Sequence, residues 1–585
     1  MNLQTLIDSL ISDTLQRSLP LFRPELVLCI TIVVLLLARV FPLLDRIPPT
    51  AFALVGSIIA LVTAMPEGGL MDWASIERQE LFTGMLVYDS VTVFMRLFLT
   101  AFAVLFVILS SLTGIADRTD GQDYYALVFG ATVGMCIMAS SNHLLSLFLG
   151  VEMASVPSYV LAGIVKGRRR SSEAALKYAV YGAGAAGVML YGVSLIAGLF
   201  GSAHLPTLAE RLMEYDIATK MADRELSVMV LALAGLMIGV GLAFKLSAVP
   251  FHFWCPDVFE GASAEIGGFL SVASKAAALA LLLRVGLGLG YEPQDALQPG
   301  EPPRTVAAVN AKTNSREEAK LSFAALQATG VENEAAEANQ SNAAKLAAVG
   351  PATPLSPVRT FFVTVVAIAG VVSCTFGNLA AYGQKNIKRM LAYSTIAHAG
   401  YMMMPVAAAL ALVGRNEAAA ADAISAVLLY VMIYLFMNLG AFAIVAFLRN
   451  AMQSEEIKDY AGLIGRSPAM AVALTIILVS LLGIPPLAGF WPKLSVFMAL
   501  YEAGGPLLIF VLVAAAINTA ISLVYYLRVA KTMCMDPQPD SSRPVQLGFL
   551  ATTYVLAITL PVVILGLVPD RVAEVAKQAA AGLFG

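Results

Sequence analysis

Seven ionisable side chains stand inside long apolar stretches of this chain: Glu152, Lys177, Lys245, His252, Lys275, His398 and Lys493. A charged group at the centre of a bilayer costs about 2.5 to 3.5 kcal/mol on insertion scales, so each of them needs a reason to be there. Burial favours the neutral form of any such group, while an opposite charge close by favours the charged form. A lysine held between these two influences takes up a proton when a carboxylate approaches and releases it when the carboxylate withdraws. That is the elementary step of a proton pump. On this reading Glu152 and Lys245 are the switchable pair, Lys275 is the central relay, and Lys493 stands at the far exit. Neutralising Glu152 or Lys275 is expected to depress pumping.

Structural roles compete for some of these residues. Lys177 falls one to two turns inside its span, where a long aliphatic stem can snorkel to the interface. A lone histidine such as His398 serves equally as a hydrogen-bond partner between helices. Lys245 and Lys275 resist that explanation, because apolar residues serve as well as a purely structural ion pair. Arg284, Glu260 and Glu265 are expected near helix ends or water, with the solvated reading favoured for all three.

Two of the lysines accompany helix breakers. Pro250 removes a backbone donor just beyond Lys245, and Pro485 and Pro486 precede Lys493. Interrupted helices at corresponding places in two halves mark the transport site of inverted-repeat carriers. Proline and glycine are also common in membrane helices generally.

The elements that must hold these groups follow from composition. Of 585 residues, 58% are hydrophobic and 13% charged, against about a quarter charged in soluble domains. About fourteen apolar runs are long enough to cross a bilayer: 25–44, 50–65, 85–115, 124–139, 142–165, 171–200, 226–249, 262–289, 361–381, 390–412, 421–447, 469–500, 506–529 and 547–569. Backbone groups in hydrocarbon must bond within their own span, so runs of this length predict an all-α polytopic membrane protein. The stretch before Glu25 lacks a basic region and a small-residue cleavage site and reads as an amphipathic lead-in.

Arg39, Arg46, Arg118, Lys166 to Arg170, Lys385, Lys388, Arg389, Lys458, Arg466, Arg528, Lys531 and Arg543 fall in loops on one side of a fourteen-span arrangement. The positive-inside rule makes that side cytoplasmic and puts both termini opposite. Residues 291–358 turn polar, with a capping-box pattern at Ser315 to Glu318. They read as a loop insertion, with partner docking as the alternative. The five cysteines are scattered without a CxxC pair, and no glycine-rich phosphate loop is present. Iron–sulfur, zinc and nucleotide chemistry are therefore not expected in this chain. A nucleic-acid partner is not expected either.

Several motifs resemble one family. They are Gly150 to Tyr159 around Glu152, Ser172 to Tyr178 around Lys177, Phe244 to Trp254, Pro256 to Ala262, Ala273 to Lys275, Asn386 to Ser394, and Leu482 to Pro485. Together they are similar to the antiporter-like membrane subunits of proton-pumping NADH:quinone oxidoreductase, respiratory complex I. Pro256 to Ala262 is similar to the subunit N branch. The resemblance spans nearly the whole chain except the polar insertion.

It implies a fourteen-helix core with two inverted five-helix repeats, each with a broken helix. The corresponding divisions are 1–120, 121–290 for the first repeat, 291–358 for the insertion, 359–530 for the second repeat, and 531–585. It carries over Glu152 with Lys245 as the first half-channel, Lys275 as the connection, and His398 with Lys493 as the second. It also implies that NADH, FMN, iron–sulfur clusters and quinone are bound by other subunits. The partners would be sister antiporter-like subunits and small membrane subunits, in a bacterial plasma membrane. One departure stands out: Ser263 and Glu265 occupy places where subunit N usually has prolines, so Glu265 can add a carboxylate to the path.

A subunit of a cation/proton antiporter complex, or of a ferredoxin- or plastoquinone-linked relative, is the alternative function; Pro256 to Ala262 favours the first reading. An inert scaffold would not need the charges. Moving one charge against 100 mV costs about 2.3 kcal/mol, so a chain without redox or nucleotide chemistry must be driven by its complex. Alone in liposomes, it is expected to build no gradient from NADH and quinone.

Overall fold

A computed structural model of the chain describes residues 3–583 except 43–45, 67–68, 70–72, 74–75, 117–119, 216, 224, 291–353, 539–544 and 546. Arg118, Arg543 and the insertion with its Ser315 capping pattern lie outside the described residues. The rest is mostly helical. Among the described residues, eleven helices are long and apolar enough to cross a membrane.

Two shorter helices open the bundle, α1 (Arg23–Ala38) and α2 (Pro49–Thr63); α1 meets the segment before it at 85°. A small antiparallel hairpin, β1 (Gln79–Leu81) with β2 (Leu86–Tyr88), then precedes α3 (Ser90–Thr113). The apolar run starting at 85 suggested a longer span. It is shortened because the Asp89 side chain accepts from the Thr92 amide at 2.8 Å, capping the helix at Ser90. Next come α4 (Gly121–Ser140), α5 (Leu144–Ala162) and α6 (Arg169–Phe200). Asp89 also meets Arg284 at its other oxygen. Burial alone would push the Asp89 carboxyl up, but the Arg284 guanidinium and the Thr92 amide hold it below the usual carboxylate range.

The run expected over 226–249 is interrupted where the breakers predict. Helix α7 (Leu226–Leu246) stops at Ser247, whose φ of +58° is left-handed, and the chain resumes as α8 (Trp254–Gly261). The long α9 (Ala264–Gly290), α10 (Ser356–Ala381), α11 (Ile387–Leu412) and α12 (Glu417–Met452) follow. The second interruption lies between α13 (Pro468–Leu482) and α14 (Phe490–Ala503), after which α15 (Gly505–Cys534) and α16 (Phe549–Leu567) complete the spans. One prolyl bond in each break is cis, Val249–Pro250 and Pro485–Pro486.

Helices α9, α11 and α12 are buried almost all round and form the centre, whereas α6, α7 and α15 are covered along one side only. Backbones come close where side chains are smallest. Cβ atoms built at Gly377 and Gly400 would lie 2.6 Å from the Ala397 and Cys374 amide nitrogens, so glycine is what lets α10 and α11 touch. Gly489 sits at the corner into α14, where an added Cβ would overlap the Ser480 carbonyl. Backbone cannot yield as a flexible side chain can. We therefore expect Gly489→Ala to cost at least the 1–3 kcal/mol typical of overpacking, about 2 kcal/mol. Thermal aggregation of membranes carrying the variant measures it; an unchanged melting profile would show that the corner is slack.

Candidate functional site

The lysines singled out by sequence end up inside the bundle. Lys245, Lys275 and Lys493 are 2%, 1% and 3% exposed, and His398 is also buried. Lys245, in the last turn of α7, donates to Ser155 Oγ at 3.0 Å. Ser155 stands one turn along α5 from Glu152, and Glu152 and Lys245 act on each other electrostatically. Glu152 itself is only half-buried. It falls on the exposed stripe of α5 formed by Leu145, Leu149, Val156 and Val160.

Lys275, at mid-length in α9, donates to the Thr395 carbonyl of α11 at 3.2 Å. Asn438 of α12 donates to Thr395 Oγ1 at 3.4 Å and to the Tyr434 hydroxyl at 2.9 Å. The His398 ring lies 5.2 Å from the Tyr434 ring, hydrogen-bonds Tyr430 through Nδ1 at 2.8 Å, and hydrogen-bonds Tyr526 through Nε2 at 3.1 Å. Tyr526 also bonds Ser394. Beyond His398, Tyr401 presents its ring face to the Lys493 ammonium, 4.8 Å from the centroid. Lys493 donates to the carbonyl of Leu482, the last residue of α13. Hydrogen bonds and ring contacts thus run from Lys275 by way of Asn438 and Tyr434 to His398, whose ring lies 6.2 Å from that of Tyr401, the ring facing Lys493.

Among the described residues, neither Lys275 nor Lys493 forms an ion pair with a carboxylate. A structural lysine in such surroundings would be matched by a counter-ion. Each ammonium instead faces a carbonyl that a helix break or helix packing leaves open to it.

Two sequence candidates stand apart from this thread. Lys177 contacts Asp257 at 2.7 Å and Glu173 at 2.9 Å with a third of its side chain exposed. Asp257 also receives Arg389, which reaches Glu260 as well. These are the ion pairs of a helix-end cluster, where the snorkelling alternative for Lys177 places it. His252 packs on the Phe376 ring at 4.3 Å, partly exposed, and no described hydrogen bond ties it to the lysines.

Three expectations need correction. Glu265 is not solvated: it is 0% exposed, in the first turn of α9, against which α4, α11 and α12 all pack. Arg284 is mostly buried and paired with Asp89. Lys388, counted among loop bases, lies in the first turn of α11 at 3% exposure.

Sequence reasoning assigned no role to Ser155, Ser394 and Thr395 and did not single out Tyr401, Tyr430, Tyr434, Asn438 and Tyr526. A signal did exist. Tyr430, Tyr434 and Asn438 recur every four residues, as do Ser394 and His398, so each set lines one helix face.

The family model described as NADH:quinone oxidoreductase/Mrp antiporter, TM, matches residues 141–294 and 340–519. The chain is 34% identical over 563 residues to "NADH-quinone oxidoreductase subunit N" of Anaeromyxobacter sp. (strain Fw109-5), covering 94% of each chain. It is 32% identical to the protein of the same name from Desulforamulus reducens, over 91% of each. Among solved structures it is similar to a chain of respiratory complex I from Thermus thermophilus with bound aureothin, at 28% identity and TM-score 0.64, covering 94% of this chain and 98% of that one. A chain of the Mrp complex from Dietzia sp. DQ12-45-1b shares the fold at 17% identity and TM-score 0.67, over 97% and 96%.

Proposed function

The chain belongs to the subunit N family of NADH-quinone oxidoreductases, and from that we propose that it translocates protons in the membrane arm of such a complex, through Glu152, Lys245, Lys275, His398 and Lys493. The observation that carries the reading is the set of three buried ammonium groups, two of them without a carboxylate partner, with hydroxyl groups and an imidazole leading from Lys275 to Lys493. Ionisable groups at this depth mark ion pathways.

In the proposed path the Glu152–Lys245 pair loads the first half, Lys275 passes the proton across the centre, and His398 with Lys493 releases it. Lys177 and His252 take part at its margin, Lys177 by adjusting the charge near Asp257. Pro250, Pro485 and Pro486 keep the two broken helices open to their neighbours. Residues 121–290 and 359–530 form two inverted repeats; the positions of α7–α8 and α13–α14 in corresponding places support this. Counting α1, α2 and the α13–α14 pair with the eleven long helices supports fourteen spans.

The exposed stripe around Glu152 supports a neighbouring membrane subunit on that face, since lipid alone would leave a carboxylate in hydrocarbon. NADH, FMN, iron–sulfur clusters and quinone then belong to other subunits of the complex. Arg39, Lys166, Arg170, Arg389 and Arg528 gather at one end of the bundle, which supports a cytoplasmic orientation of that end in a bacterial plasma membrane. Both termini would then lie opposite.

The test uses vesicles carrying the intact complex. Glu152→Gln and Lys245→Ala are each expected to lower NADH-driven acidification several-fold with the complex still assembled. Wild-type acidification in both would end the proposal. Sodium-driven proton movement without NADH would favour the antiporter alternative instead.

A further inference from the structure

Glu265 is fully buried, and neither of its carboxylate oxygens accepts a hydrogen bond from any described residue. Buried carboxylates are almost always bonded by protein or water, so an acid in this state asks what it exchanges. Its surroundings answer. Lys388, buried in the first turn of α11, acts on Glu265 electrostatically and is itself fixed by two contacts, 2.7 Å to the Ala262 carbonyl and 2.9 Å to Glu455. Glu455 lies in the loop after α12, which binds the start of α11 through the Ile387 amide at 2.9 Å. Its side chain is 18% exposed, while its second oxygen and the nearby Tyr460 hydroxyl are buried without a hydrogen-bond partner among the described residues. An acid that touches solvent, a buried lysine and a buried acid therefore stand in sequence. Other ionisable neighbours are Arg449 on α12, Asp459 beside Tyr460, and Tyr124 on α4, the last bonded to Ser110 at 2.8 Å.

The inner end of this sequence points at the central relay. Helices α9 and α11 pack together, with Glu265 and Lys388 in their first turns. Ten residues further along α9, about 15 Å by helical rise, is Lys275. Two turns along α11 from Lys388, about 10 Å, is Thr395, whose carbonyl holds Lys275. Both helices lead from the same acid–lysine–acid cluster to the same ammonium.

We propose that Glu455, Lys388 and Glu265 form the proton intake of this subunit, Glu265 being the carboxyl that hands protons to Lys275. The proposal rests on the proton-translocating reading above. In each passage bulk water protonates Glu455; the Lys388 ammonium gives its proton to the Glu265 carboxylate and recovers one from the Glu455 carboxyl. Water between Glu265 and Lys275 then carries the proton inward and leaves Glu265 a carboxylate again. One proton enters for each one passed on, and no oxidant or further reactant is required. The helix-end ion-pair cluster of Lys177, Asp257, Arg389 and Glu260 lies beside this intake and outside it.

The test compares Glu265→Gln, Glu265→Asp and Lys275→Met in vesicles containing the intact complex, reading NADH-driven acidification and the amount of assembled complex. Glu265→Gln should reduce acidification about tenfold or more, the scale of losing a proton-transfer group, while Glu265→Asp keeps most of it. Parent-like pumping by Glu265→Gln alongside a silent Lys275→Met overturns the intake and leaves the translocating function standing. Normal pumping in both overturns the function itself. Equal loss in the Gln and Asp variants shows a packing role and overturns the proposal. If Glu265→Gln fails to assemble, Glu455→Gln at the solvent end decides: loss of acidification supports the intake, and parent-like acidification overturns it.

Discussion

Lys275→Met is expected to abolish NADH-driven proton pumping, by about 10²-fold if Lys275 carries the proton itself, while leaving the complex as stable as the parent or more so. The two halves of that expectation come from the same geometry. Lys275 is 1% exposed, donates one hydrogen bond to the Thr395 carbonyl and forms no ion pair with a described carboxylate. Methionine fills nearly the same volume with a flexible apolar chain. Replacing a buried charge that lacks a counter-ion removes a desolvation cost and does not strand a partner charge. A residue kept for packing would show the opposite pattern, with stability lost and pumping roughly retained. Acidification assays and thermal inactivation of the same membranes separate the two outcomes. Parent-like pumping in an assembled Lys275→Met complex would remove Lys275 from the path.

The largest stability loss is expected at the other side of the bundle, from Glu25→Ala. Glu25 and Arg96 are both buried and meet at 2.6 Å, linking the first turn of α1 to the interior of α3. The guanidinium also donates to the Leu21 carbonyl at 2.8 Å and lies over the Phe22 and Tyr88 rings. Deleting the carboxylate leaves that guanidinium in place without its neutralising partner. Breaking a buried pair in this way costs about 3–5 kcal/mol. The expected result is a marked fall in the amount of chain accumulated in the membrane and in its midpoint of thermal aggregation. Glu25→Ala combined with Arg96→Met should recover much of the loss, because no charge remains uncompensated. If the double variant is no better than the single one, the pair is not what holds α1 to α3.

These two sites differ in how visible they are in the sequence. Lys275 announces itself as a charge inside apolar residues. The Glu25–Arg96 pair does not, since 71 positions separate its members: Glu25 reads as an ordinary residue at a helix start, and Arg96, inside the run 85–115, gives no sign of its partner. Span lengths and the breakers at Pro250, Pro485 and Pro486 made the long helices and both interruptions legible. The β1–β2 hairpin and the short amphipathic helices Leu205–Glu214 and Asp570–Ala581 went unread, because hydropathy windows tuned to spans pass over polar elements. The hydroxyl thread was hidden for another reason. Serine, threonine and tyrosine are ordinary in membrane helices, so only the facing of α11, α12 and α15 turns Ser394, Tyr430 and Tyr526 into one network. Glu265 was misread because proximity to a helix start suggests water. Its neighbours come from α4, more than 120 positions earlier, and from α11 and α12, more than 120 positions later in the chain.

The placement of Glu152 on an uncovered flank bears on the life of the chain before it joins its complex. A newly inserted copy with nothing docked against Leu149 and Val156 holds an acid at acyl-chain depth, and the bilayer must thin or admit water around it. Such a local defect distinguishes an orphan from an assembled copy without any dedicated sequence tag. On the proposed reading of Glu152, docking erases this defect, and the carboxylate assigned to transport then differs in surroundings between an orphan and an assembled copy.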